Sequence, residues 1–303
     1  MIEKVGNVIL NYEFYCGEDA YSDGAIEDEL LEKVSKEQDI LKILKGDKRW
    51  PILYHLSPVR QNIVDWYDMD KEDEVLEVGA GCGAITGALC KKAKKVTCIE
   101  LSKKRSLINA NRNHKYDNLE IMVGNFNDIK LEKKFDIITL IGVLEYARYY
   151  TSTKNPFIDF LKNIKKMLKP DGVILIAIEN KYGLKYWAGA REDHTGVFFD
   201  GIQGYGSTNS EVRTFSKKQL EHILMEAGYG NQQFYYPFPD YKFPVQIFSD
   251  SYMPKPEDVA CSKDSYDSTR RYLFNETIAF EEIVRSGEFA TFSNSYLIVA
   301  GQE

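Results

Sequence analysis

Two sets of residues in this sequence carry reactive groups, and they lie far apart along the chain. The first is Val75-Leu76-Glu77-Val78-Gly79-Ala80-Gly81-Cys82-Gly83-Ala84-Ile85-Thr86, an apolar run with an acid inside it that ends in three alternate glycines. Glycines let a backbone turn sharply and approach a ligand, because no Cβ stands in the way. The second set is Glu145, Glu179 and His194, the last being one of four histidines. Histidine titrates near neutral pH and is the usual general base toward a hydroxyl, whereas an amine needs only a carboxylate or a water. The first set points to a bound nucleotide and the second to proton transfer.

The elements that must position these residues read as a doubly wound α/β fold. Strand, glycine turn and helix follow one another from Glu74, with strands at 74–78, 96–100, 119–123, 135–141 and 172–178 and helices at 84–94, 103–113 and 156–168. The strands are continuous apolar runs, as expected of a parallel sheet covered on both faces. A helix at 217–227 and strands at 232–238 and 294–300 complete the set. Ahead of it, Ala25 to Lys45 has helical periodicity up to Gly46, and Ser57-Pro58 starts another helix carrying Val59, Ile63, Trp66 and Tyr67. The stretches 181–212 and 239–290 lack periodicity, and loops of that length are usually lids or binding elements.

Composition sets bounds. With 303 residues, 44% hydrophobic and 28% charged, the chain reads as a soluble globular protein with a proper core. A net charge of −7 argues against a large nucleic-acid footprint. Cys16, Cys82, Cys90, Cys98 and Cys261 show no zinc spacing, so they are expected to be reduced, and no metal is expected. No basic-then-apolar leader and no bilayer-length apolar run is present, so a cytoplasmic protein without membrane insertion is expected. The lysine clusters at 91–95 and 162–169 fall at helix ends, as solvated faces that favour the helix dipole.

The nucleotide class turns on two residues. Gly79, Gly81 and Ala84 fit a dinucleotide fingerprint, but Glu77 sits badly beside a pyrophosphate and well beside an ammonium and a sulfonium. Gly83 completes the tighter E-x-G-x-G form. Here the sequence resembles the class I S-adenosylmethionine-dependent methyltransferases, most densely over 74–180. The resemblance implies S-adenosyl-L-methionine as cofactor and a seven-stranded, mostly parallel sheet, with the last strand antiparallel between the fifth and sixth. It implies an N-terminal helical lid at 1–60 and a donor-binding domain at 61–303. Glu77, Gly79, Ala80, Gly81 and Gly83 would form the donor turn. Glu100 would take the ribose hydroxyls, with Leu101 and Ser102 beside it. Asn125 stands where many members have an aspartate that accepts from the adenine amino group, and an amide oxygen can do the same. Phe126 would be an adenine wall or core. Gly142, in Ile141-Gly142-Val143-Leu144-Glu145-Tyr146, would pass beside the methionyl part, and Glu145 either holds the next helix or faces the sulfonium. His55 with Arg60 would meet the donor carboxylate, or serve as an alternative base to His194. The run Val75 to Thr86 also resembles the ribosomal RNA adenine dimethylases, against which the fourth motif and the acidic charge both argue.

The loop that follows Glu179 offers Tyr182, Trp187, Arg191 and Tyr205 as acceptor contacts. Aromatics interleaved with charges suit a sugar or an aminoacyl group, although they would equally tuck onto the sheet. Tyr21-Ser22-Asp23-Gly24, the 179–205 loop and Phe292–Tyr296 resemble methyltransferase modules of bacterial cell-surface polysaccharide assembly, implying a small-molecule or glycan acceptor. A natural product or peptide acceptor, a nicotinamide-dependent oxidoreductase and a non-catalytic scaffold remain open. So do oxygen against nitrogen as acceptor atom and the oligomeric state.

Overall fold

The computed structural model describes residues 1–19, 22–37, 39–260 and 270–302, so Tyr21 and Cys261 lie outside the described residues. The chain falls into two compact units, Met1–Leu140 with Met167–Gly172, and Ile141–Lys166 with Val173–Glu303.

The first unit opens with a hairpin that the sequence reading did not anticipate. Strands β1 (Ile2–Val5) and β2 (Val8–Asn11) pair antiparallel. The expected strands follow as β3 (Glu74–Val78), β4 (Lys95–Glu100), β5 (Leu119–Val123) and β6 (Phe135–Ile141). They run in the order β1-β2-β5-β4-β3-β6, and every neighbour after the hairpin is parallel. The helical stretch expected over 25–45 is two helices, α1 (Ile26–Lys36) and α2 (Ile40–Gly46). Asp39 makes the break, because its side chain accepts from the backbone N–H groups of Leu41 and Lys42 and starts a new helix there. With α3 (Trp50–Leu56) they place Leu30, Val34, Ile43, Ile52 and Leu56 in one core with Cys82 and Ile108. The segment expected as a lid thus shares the apolar interior beneath the glycine turn. Ser57 caps a short 3-10 turn, which leads into the one-turn α4 (Asn62–Asp65) rather than a long helix, and Trp66 stays 38% exposed. Helices α5 (Thr86–Lys92) and α6 (Lys103–Arg112) complete the unit.

The second unit carries α7 (Ala147–Tyr150), α8 (Pro156–Lys165) and the greater part of β7 (Leu168–Glu179), then α9 (Leu184–Trp187) and α10 (Lys217–Glu226). Ser216 and Gln219 close a capping box at the start of α10. Beyond it come β8 (Asn231–Phe238), β9 (Gln246–Ser249), α11 (Glu276–Arg285), α12 (Phe289–Phe292) and β10 (Ser295–Gly301). The last strand lies antiparallel between β7 and β8, the arrangement that the resemblance implied.

Among the described residues ten strands stand where seven were expected. The additional ones are short, and β1 is mostly exposed, so neither the hairpin nor β9 has the buried apolar run that marks the others. The 239–290 stretch is also not a bare loop. Its Phe248 and Phe280 pack with Phe238 and Phe289 in edge-on and tilted contacts at centroid distances of 5.4 to 6.3 Å, forming an aromatic core. No helix among the described residues is long and apolar enough to cross a membrane.

Candidate functional site

In the first unit the parallel strands bring their carboxyl ends, and the turns that follow, to one edge, where ligands of open α/β sheets bind. The Gly79 N–H donates to the Ile99 carbonyl and the Gly124 N–H to the Glu100 carbonyl, both at 2.9 Å, so adjacent turns are stitched together. Glu100, expected at the ribose, is buried and accepts from the Gly81 N–H at 2.7 Å and the Ser102 N–H at 2.9 Å. Burial raises its carboxyl above the ordinary range. Each of its oxygens keeps a second lone pair for a hydroxyl. Leu101, Asn125 and Phe126 are half-buried, and the Asn125 side chain accepts from the Asn127 N–H at 3.0 Å.

The three glycines of the turn all have positive φ, +69° at Gly79, +54° at Gly81 and +72° at Gly83, but for different reasons. A Cβ on Gly83 would stand 2.3 Å from Asn109 Oδ1, so close approach of α6 requires glycine there. A Cβ on Gly81 would meet nothing within 4 Å among the described residues. Gly81, with the buried Ala80 before it and its N–H on Glu100, therefore leaves an open approach among the described residues.

Glu77, expected beside the donor, is buried. The register sets it beside Cys98, and its Oε2 accepts from the Thr86 hydroxyl at 2.6 Å and the Cys98 thiol at 3.2 Å. Burial pushes its carboxyl up to about 7. Through Oε2 it ties the turn to the next helix and to the neighbouring strand. His55 is likewise engaged by the chain. It is buried, its Nε2 lies 3.2 Å from Asp23 Oδ2, and burial depresses its pKa. Arg60 stacks 4.1 Å over Tyr54 and donates to its carbonyl.

The second unit gathers Glu145, Glu179 and His194. Glu145 sits in a 3-10 turn after β6, and Glu179 is the last residue of β7, paired across the ladder with Ser295. The Ser295 hydroxyl accepts from the Tyr241 N–H, and the Tyr241 hydroxyl donates to Glu179 Oε1 at 3.2 Å. Lys242 lies 2.7 Å from that same oxygen. Glu192 accepts from the backbone N–H groups of His194 and Thr195, and its Oε1 lies 3.0 Å from His194 Nδ1. His194 Nε2 then faces Glu145 Oε1 at 3.9 Å and Glu179 Oε2 at 4.0 Å. Glu145 and Glu179 are 1% and 0% exposed, and Oε2 of each has no hydrogen-bond partner among the described residues.

The electrostatics follow from this crowding. Burial alone would depress His194, but Glu179, Glu192 and Glu145 outweigh it and raise it to about 9. Burial and the charge of Glu179 raise Glu145, whereas Lys242 and His194 overcome burial to lower Glu179. Alongside, Lys185 pairs with Asp193 at 2.8 Å and Asp240 at 2.7 Å, and Lys242 pairs with Asp193 at 2.7 Å.

Four acceptor contacts were expected in the loop after Glu179. Tyr205 is buried, with its hydroxyl between Thr214 Oγ1 at 2.6 Å and Glu192 Oε1 at 3.2 Å, so it braces Glu192. Arg191 donates to the Gly196 carbonyl and lies 4.3 Å over Phe198, which makes it a loop fastener. Trp187 remains 40% exposed, its indole N–H on the carbonyl of the half-buried Tyr182. Gly142 has φ +71°, and a Cβ there would come 2.9 Å from the Tyr241 hydroxyl. Sequence reasoning missed Lys185, Glu192, Asp193, Asp240, Tyr241 and Lys242. The run Glu192-Asp193-His194 was itself a signal, because two acids next to a histidine in an apolar setting call for partners.

Residues 76–174 match the methyltransferase domain family. The ubiquinone biosynthesis O-methyltransferase of Pelagibacter ubique (strain HTCC1062) is 28% identical over 43% of this chain and 56% of its own length. Ribosomal RNA small subunit methyltransferase A of Clostridium acetobutylicum is 34% identical over 35% of this chain and 38% of its own. Among solved structures, phosphoethanolamine N-methyltransferase 1 of Haemonchus contortus aligns with a TM-score of 0.49 and 14% identity, over 92% of this chain and 50% of that one. The chain thus spans little more than half of the first of these curated relatives and less of the second.

Proposed function

We propose that this chain, a class I S-adenosylmethionine-dependent methyltransferase by its domain at 76–174, methylates an oxygen or nitrogen of a small polar acceptor such as a sugar or glycan precursor. The observation that carries this reading is the pair of buried oxygens, Glu145 Oε2 and Glu179 Oε2, that no described group of the chain serves. Leaving a buried acceptor unserved costs about 1–3 kcal/mol. An acceptor hydroxyl or ammonium would supply the missing donor, and the carboxylate that receives it would take the proton that the acceptor gives up.

Bound S-adenosylmethionine supplies a methyl group made electrophilic by its sulfonium. For holding it we assign Gly79, Ala80, Gly81, Glu100, Leu101, Asn125 and Phe126, with Gly142 added from the resemblance. Gly81 gives the open approach and Glu100 the acceptors for ribose hydroxyls. Glu77, Gly83 and Thr86 keep the turn in shape. His194, held by Glu192, presents Nε2 to the two acids. Tyr182 and Trp187 offer ring faces to an acceptor.

The relative named as an O-methyltransferase supports oxygen as the acceptor atom. The relative named for ribosomal RNA supports a nucleic-acid acceptor, against which the net charge of −7 weighs. Incubation with a radiolabelled methyl donor and fractionated cell extract, followed by mass analysis of the labelled product, tests the reading. Label in a small polar molecule is expected, and label in RNA would overturn it. Stabilisation by S-adenosylhomocysteine but not by NADH is expected in a thermal shift, and the reverse would return the chain to the oxidoreductases.

A further inference from the structure

Three electron-rich groups converge on one gap in the second unit. Glu192 fixes the first of them. Its carboxylate is pinned by two backbone N–H groups and the Tyr205 hydroxyl, and it lies against His194 Nδ1. A carboxylate can only accept, so Nδ1 carries a hydrogen, and a cation that displaces the proton from Nε2 would meet there a lone pair facing Glu145 and Glu179. This is the arrangement in which a carboxylate behind a histidine orients it as a metal ligand.

The distances point the same way. At 3.9 and 4.0 Å the Nε2 contacts are too long for hydrogen bonds, so a proton on Nε2 would bond to neither acid. Nitrogen and oxygen ligands sit about 2.0–2.2 Å from an ion such as zinc, so two of them stand roughly 3–4.2 Å from each other. All three ligand atoms here lie within 4.8 Å of one another, a spread that small side-chain rotations close. The unpartnered Glu179 Oε2 is the oxygen that faces His194, and Lys242 and Tyr241 hold its other oxygen in place. Lys185 and Lys242 answer Asp193 and Asp240, leaving Glu145 with no lysine or arginine of its own among the described residues.

We propose that Glu145, Glu179 and His194 bind one divalent cation, with Glu192 as the positioning residue behind the histidine. Two carboxylates and one imidazole without sulfur suit Mn²⁺, Fe²⁺, Zn²⁺ or Mg²⁺. Three protein ligands leave coordination positions for water or for an acceptor oxygen, whose proton the ion would loosen. The site rests on the geometry of these side chains and is testable without donor or acceptor, so its failure would leave the methyltransferase reading standing.

The test is titration of the full chain, stripped with EDTA, with Mn²⁺ while free ion is followed by electron paramagnetic resonance. One ion per chain is expected, lost in Glu145→Gln and Glu179→Gln and weakened about 10–100-fold in Glu192→Gln. Binding no tighter in the wild type than in Glu145→Gln, or no saturable binding of Mn²⁺, Zn²⁺ or Mg²⁺, would overturn the proposal. Should the variants fail to fold, the wild-type Mn²⁺ complex decides by itself: coupling to a histidine nitrogen in a pulsed spectrum is expected, and its absence counts against the site.

Discussion

Among the buried acids of each unit, one pair invites comparison, and the two pairs are treated differently. Glu77 and Glu100 of the first unit accept from a hydroxyl, a thiol and two backbone N–H groups, all supplied by neighbouring turns and strands. Glu145 and Glu179 of the second unit are buried as deeply, yet each keeps an oxygen that no described group reaches. A buried acid whose bonds the fold supplies is part of the scaffold. One left short marks where something from outside is to bind, since orphaned buried polar atoms are rare in native interiors.

Substitutions test that contrast, and the largest effect is expected at the second pair. His194→Ala is expected to lower turnover about 10²–10⁴-fold while S-adenosylhomocysteine affinity stays within about twofold by calorimetry. A parallel loss of affinity would erase the division of labour between the units. Lys242→Met strips Glu179 of its buried counter-charge and is expected to cost about 3–5 kcal/mol of stability by denaturant titration. Thr86→Val removes one of the donors to Glu77, and about 1–3 kcal/mol is expected there. Equal costs would mean that the two acids are alike after all. Gly81→Val forces a β-branched residue to positive φ at about 1–3 kcal/mol, so S-adenosylhomocysteine affinity is expected to fall roughly ten- to a hundredfold.

Glu77→Gln gives the subtlest effect, read as a pH profile. The folded Glu77 carboxyl is pushed up to about 7 from an ordinary 4.5. Folding therefore takes up a proton between those values. The contribution of this group is full below the ordinary value and declines as pH rises through about 7. The amide has no such term, so melting at rising pH is expected to show the variant gaining on the wild type, by up to about 3 kcal/mol near pH 8. A constant difference across the range would show that Glu77 does not titrate with folding.

The contrast also explains what the sequence disclosed. Apolar runs located the strands from β3 to β7 to within a few residues, because burial on both faces leaves a local signature. The glycine turn was legible for the same reason. Which glycine faces open space was not, since only the approach of Asn109 on α6 distinguishes Gly83 from Gly81. In the second unit Glu145, Glu179 and His194 were singled out by their chemical type. Their supports, Tyr241 and Lys242, come from a stretch without periodicity, and strand pairing around Ser295 brings them to Glu179. Nothing in the local pattern of residues 239–290 announces that. The partners of Tyr205 and Arg191 within the chain were not legible, because an aromatic or cationic residue in a loop looks the same whether it meets a ligand or clasps its own neighbours.

The ring cluster of Phe238, Phe248, Phe280 and Phe289 bears on how this protein can be trimmed. Anyone shortening the chain toward a minimal catalyst would be tempted to delete the irregular stretch after β8, as if it were ornament. Such a deletion would pull two phenylalanines out of the packing that seats β8 and α12, and with them the lysine that steadies Glu179. The excised molecule would lose its footing before it lost any acceptor.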